Sequence, residues 1–222
     1  MQRLETPFTL EVVSLSQPEV RDPAHALTFF LPYIVMLLFY IVILSTASLM
    51  LSSVTTEKQN RMIEILTTSV TPMEMLAGKI SALGVAGLVQ TVVWSGSGLL
   101  MLRLGGTTLN LPAAFQLPVS VLLWGLVFFV LGYILYGSLM AGVGALVPNL
   151  REASQATTVV ILPMIVPMFL ISVLVEEPNG LISMILSLFP FTSPVAMMTR
   201  LSAVSVPFWQ PLLAAVLLAG TC

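Results

Sequence analysis

Apolar runs long enough to cross a bilayer recur along this chain, and no other feature restricts its folding as much. Backbone in hydrocarbon finds no water to bond, so each such run must form a helix or part of a closed barrel. Runs of about 20 apolar residues specify helices. By hydropathy the first span extends from about Phe29 to Val54, the second from about Ile80 to Leu102. The third extends from about Leu117 to Val147 and the fourth from about Thr157 to Val175. The third is longer than a bilayer requires and is expected to tilt or project beyond it. Of 222 residues, 57% are hydrophobic and 8% charged, against about 45–50% apolar content in soluble domains. The expected fold is an all-α polytopic membrane bundle with about four full spans.

A net charge of -2 excludes a basic nucleic-acid platform. The single cysteine, Cys222, and single histidine, His25, exclude a disulfide framework and any multi-Cys/His metal site. No cationic segment followed by a short apolar core opens the chain, so no cleavable signal peptide is read there.

A further apolar stretch, Leu181 to Leu201, is interrupted by Pro190 and Pro194. Each half is too short to cross about 30 Å of hydrocarbon at about 1.5 Å per residue. Ser193 before Pro194 reads as an N-cap with proline at the first helical position. The expectation is two re-entrant helices within residues 178–206; a kinked span is the alternative. The last run, Phe208 to Cys222, is shorter than a span. Lysine and arginine in the loops place the stretch after the first span in the cytoplasm and the N-terminus outside. Residues 1–28, with a strand-like Phe8 to Leu15, then read as the end of an extracellular segment. Together these features suggest a piece of a longer chain, with the membrane domain at 29–222.

The few charges are concentrated: Glu57, Lys58, Arg61, Glu64, Glu74 and Lys79 fall between the first two spans. From Glu57, apolar Met62, Ile65 and Leu66 recur at helical spacing, and Glu57 precedes Arg61 at the favourable four-residue separation. Thr71, Pro72 and Glu74 then form a capping box, which restarts a helix that can run through Lys79 into the second span. Residues 53–79 thus read as a helical hairpin with one charged face. On chemistry alone, an amphipathic loop on lipid headgroups, anchored by Lys58 and Arg61, fits equally well.

The order Glu57-Lys58-Gln59-Asn60-Arg61, Glu64-Ile65-Leu66 and Gly78-Lys79 resembles the signature of ABC-2-type permeases, the membrane subunits of ABC exporters. Leu88-Val89-Gln90 with Trp94 adds to the likeness, as do Pro148-Asn149 with Glu152-Ala153, and Phe189 to Pro194 with Arg200. The sodium-efflux and drug or lipid exporter branch is the nearest in pattern. The resemblance implies a type V exporter-like bundle in which 53–79 is a coupling-helix hairpin. It implies an ABC ATPase subunit docked through Glu57, Lys58, Arg61 and Glu64, with Asn149, Arg151 and Glu152 in a second cytoplasmic loop. It also implies a second permease subunit, and a turn at Pro190, Ser193 and Pro194 between re-entrant helices. The family's first span, the helix preceding it and the end of its last span have no counterpart in this sequence.

Two observations bear on the energy source. No Asp, Glu, Lys, Arg or His lies inside the four spans, where a proton-driven carrier would need one. The chain also lacks a G-x-x-x-x-G-K-[ST] loop, so ATP and Mg²⁺ are expected on a partner ATPase, with no cofactor on this chain. A secondary carrier or channel is the alternative, with Gln90 as a polar site and Pro163 and Pro167 as a hinge. An intramembrane enzyme using Ser97 would lack a nearby base. Gly84, Gly87, Gly96, Gly142 and Gly144 are expected to admit close helix approach. Glu176 and Glu177 read as a solvated turn. Sodium, drugs, lipids and peptides all remain open as substrates.

Overall fold

The computed structural model describes residues 26–60, 71–109 and 119–222. The Phe8 to Leu15 segment, Arg61 and Glu64 lie outside these residues. The helices are α1 (Ala26–Gln59), α2 (Pro72–Leu109), α3 (Val119–Leu146) and α4 (Leu150–Phe169). Then come α5 (Ile171–Glu176), α6 (Leu181–Leu188), α7 (Ser193–Ala203) and α8 (Trp209–Thr221). Among the described residues, four stretches are long and apolar enough to cross a membrane: Phe30–Gln59, Met73–Trp94, Ser120–Leu146 and Arg151–Phe169.

As expected, the capping-box restart and the second span are one 38-residue helix, α2, because nothing between Pro72 and Ile80 withholds a donor from the ladder. The boundaries differ from those read by hydropathy in one informative place. The fourth span is not continuous from Thr157 to Val175. It begins at Leu150 and leaves helical geometry at Leu170 (φ -102°, ψ 19°) before α5 resumes. Pro163 and Pro167 both lie inside α4, each removing one N–H from the ladder, and the break comes three residues past the second.

The core is built around α3. Phe128, Phe129, Tyr136 and Met140 of α3 are completely or almost completely buried in one cluster with Val42, Ile43 and Leu51 of α1 and Val195, Met197 and Met198 of α7. Two glycines set how closely these helices approach. A Cβ on Gly87 would lie 2.7 Å from Phe129 Cζ and 2.8 Å from Thr46 Oγ1. A Cβ on Gly132 would lie 2.8 Å from Pro194 Cβ and 3.0 Å from Ile43 Cδ1. The expectation fails at Gly96 and Gly142, where a Cβ would meet nothing within 4 Å; small residues face lipid as readily as a neighbour, and spacing does not distinguish them.

Helices α6 and α7 form a short hairpin whose tip, residues 189–194, packs into the middle of the bundle. Gly132, which receives Pro194, lies about 20 Å along α3 from its start at about 1.5 Å per residue, close to the middle of that 28-residue helix. Tyr136, one turn further, donates its hydroxyl proton to the Phe191 carbonyl at 2.6 Å. The cap differs from the expected one. Thr192 is the N-cap and Ser193 the first helical residue, so Pro194 takes the second position. The Thr192 hydroxyl turns back to the Leu186 and Phe189 carbonyls, and Ser193 is buried without a partner for its hydroxyl.

α6 is inside out by the standards of a water-soluble helix. Ser183 and Ser187 are fully buried, while Leu181, Ile182, Ile185 and the adjoining Phe189 are 49–74% exposed. Both serines satisfy their hydroxyls on carbonyls, Ser183 on Glu177 and Ser187 on Met184. This polarity is stable only where the surroundings are apolar, since polar groups must then bond inward and apolar ones are free to face out. α8 continues the same surface with Trp209, Leu212, Leu213, Val216 and Leu217 exposed at helical spacing.

Candidate functional site at the charged end of the bundle

α1 ends and α2 begins in the charged stretch, and the structure shows which of its side chains are engaged. Thr71 and Glu74 form the capping box. The Thr71 N–H and hydroxyl donate to Glu74 Oε2 at 3.0 and 2.7 Å, and the Glu74 N–H donates to Thr71 Oγ1 at 3.3 Å. Pro72 is the first helical residue, where a missing N–H has no cost. The Asn149 side chain caps α4 in the same reciprocal manner, accepting from the Glu152 N–H at 2.9 Å and donating to Glu152 Oε1 at 3.0 Å. Arg151 is exposed in the first turn of that helix.

Glu57 and Lys58 are both engaged within the bundle, although Lys58 itself is exposed. Glu57 is ion-paired with Lys79 of α2, both side chains being largely covered. Lys58 donates to the carbonyls of Ala145 at 2.6 Å and Val147 at 3.1 Å. These are orphan acceptors at the C-terminus of α3, where the helix dipole favours a cation. Two adjacent residues of opposite charge therefore tie the end of α1 to the start of α2 and to the end of α3. The sequence drew attention to Glu57 through a four-residue pairing with Arg61, and gave no sign of Lys79 of α2 as its partner. The pairing depends on how α1 and α2 lie together, which local spacing does not encode.

The candidate pathway and hinge residues also have definite surroundings. Gln90, half-buried on α2, exchanges hydrogen bonds with Ser45 of α1 at 3.3–3.4 Å. Pro163 is half-buried and Pro167 buried in α4. Pro190 is half-buried at the hairpin tip, with Ser193 and Pro194 buried beside it. The Ser97 hydroxyl donates to the Trp94 carbonyl at 3.0 Å on an exposed face. Glu176 and Glu177 are exposed.

One residue stands out that site reasoning on the sequence passed over. Arg200 of α7 is 0% exposed. Its Nε donates to the Pro178 carbonyl at 2.6 Å, one terminal nitrogen to Ser187 Oγ at 2.5 Å, and the other to Gln210 Oε1 at 2.9 Å. A single guanidinium thus holds together the turn after α5, the buried face of α6, α7 and the first turn of α8. Planar, forked donors suit such a node; an ammonium would not reach three divergent acceptors.

Apolar spans, an inside-out short helix and a hairpin tip at mid-bundle define a multi-pass helical membrane protein. The chain belongs to the ABC-2 transporter family: it matches the family described as ABC-2 family transporter protein over residues 1–222. It is 30% identical to the uncharacterized protein MJ1024 of Methanocaldococcus jannaschii over 205 residues, covering 92% of this chain and 49% of that protein. It is 29% identical to the uncharacterized protein YhaP of Bacillus subtilis over 217 residues, covering 93% of this chain and 51% of that protein. The chain therefore spans about half the length of the curated relatives it matches. No solved structure matches it.

Proposed function

We propose that this chain is the membrane-embedded part of a permease subunit of an ATP-driven exporter, energised by a separate ABC ATPase. The observation that carries the reading is where the charges are. Away from one end, the four spans carry no Asp, Glu, Lys, Arg or His, and charge gathers at that end, where α1, α2, α3 and α4 meet. A driving force applied there, from outside the bilayer, needs no intramembrane relay. ATP and Mg²⁺ belong on the ATPase, and two permease subunits would flank the pathway. On this reading the charged end is cytoplasmic, and the α6–α7 hairpin enters from the outer leaflet. The exposed apolar faces of α6 and α8 support the second point, as does the aromatic group of Trp124 and Phe208, 5.5 Å apart, with Trp209 beside it. The cargo class stays open among ions, drugs, lipids and peptides.

Arg61 and Glu64 are the residues to test, because Glu57 and Lys58 already serve the bundle itself. Reversing both charges in the full-length permease is expected to abolish co-purification of its ABC ATPase while leaving membrane insertion intact. Unchanged ATPase association would remove this stretch as the docking site.

A further inference from the structure

We infer that Lys58 is a positioning residue that transmits movement of the charged hairpin to the turn between α3 and α4, and so to α4. The inference rests on the ATP-driven reading above. It goes beyond that reading by assigning Lys58 an internal mechanical role in place of contact with an ATPase.

The geometry carries it in three steps. First, Glu57 and Lys79 join the end of α1 to the start of α2 directly, so a push at this end reaches both helices together. Second, the neighbouring side chain, Lys58, bonds Ala145 and Val147, at the C-terminus of α3 and just beyond it. Two residues after Val147, Asn149 caps α4. The path from α1 to the first turn of α4 thus runs through one ammonium group and the three bent residues 147–149. Third, α1 and α3 are nearly in backbone contact beside this bond: a Cβ on Gly144 would lie 3.2 Å from the Leu51 carbonyl oxygen and 3.1 Å from Thr55 Oγ1. This packing aligns the helices but makes no directional bond to the 147–149 turn. Lys58 does. α4 is the span built to respond, since its two prolines and the break at Leu170 give it a place to bend.

The test uses the full-length permease bound to its ABC ATPase in lipid nanodiscs, with amide hydrogen exchange read with and without ATP and vanadate. In the native protein, segments 71–76 and 146–153 should both change exchange on vanadate trapping. In Lys58→Met the change at 71–76 should persist and the change at 146–153 should be lost; Lys58→Arg, which keeps a cationic donor, should restore it. A merely structural role would alter exchange at 146–153 in both states equally and leave the ATP-dependent difference in place, and that result overturns the inference. A native protein in which neither segment responds to ATP overturns the ATP-driven reading and this inference with it.

Discussion

Replacing Arg200 with methionine is expected to destabilise the protein more than any other single change considered for this chain. The side chain is completely enclosed, and its removal strands Gln210 Oε1 and the Pro178 carbonyl and leaves Ser187 Oγ with only its bond to the Met184 carbonyl. Each buried polar group left without a partner costs about 1–3 kcal/mol. The total should therefore reach roughly 3 kcal/mol or more, allowing for repacking and for the exposure of the Pro178 end. Arg200→Lys should recover only part of the loss, because an ammonium lacks the planar fork that meets three divergent acceptors. Unfolding midpoints of the full-length protein in detergent, with insertion checked separately, measure both effects. Wild-type stability in Arg200→Met would mean that the four segments are held together by packing alone.

The second large effect is expected at Gly132, where the hairpin tip meets α3. An alanine methyl there would sit 2.8 Å from Pro194 Cβ, 2.9 Å from its Cγ and 3.0 Å from Ile43 Cδ1. Neither side can yield easily, since the proline is a rigid ring locked in the first turn of α7 and Ile43 is fully buried. Overpacking of this kind costs about 1–3 kcal/mol. The tip should also retreat, weakening the bond from Tyr136 to the Phe191 carbonyl. Gly142→Ala supplies the matched comparison, because a methyl at that position meets nothing within 4 Å. The same unfolding measurement should show a loss for Gly132→Ala and none for Gly142→Ala. Equal effects at the two sites would refute the close approach of α7 to α3.

What could be read from the sequence follows the range of the interactions involved. The Thr71–Glu74 box is a contact between residues three apart, governed by local backbone geometry, and the bonds lie where the spacing puts them. The break around Pro190 and Pro194 was legible for the same reason, as ring chemistry acts on the proline's own turn. The register of the cap was not, because Thr192 found acceptors on the preceding helix. Longer-range facts were hidden. Glu57 has a plausible local partner in Arg61, yet its bond to Lys79 exists only because two helices converge. The two serines of α6, four residues apart, mark one face of that helix, but hydropathy does not say which face turns inward. Once the environment is known to be lipid, the buried serines and exposed leucine and isoleucines are what polar satisfaction requires. Arg200 lies in α7, seven residues after Ser193 and on the same face, and the spacing alone does not say that this face turns inward.

On the proposed reading, force reaches this bundle from an ATPase at its charged end. The most direct test is ATP hydrolysis by the partner ATPase, measured alone and with the full-length permease in nanodiscs. A stable complex is expected, in which the permease changes vanadate-sensitive hydrolysis several-fold and the Arg61, Glu64 double reversal removes that change. Hydrolysis indifferent to the permease, together with transport that continues without any ATPase, would contradict it.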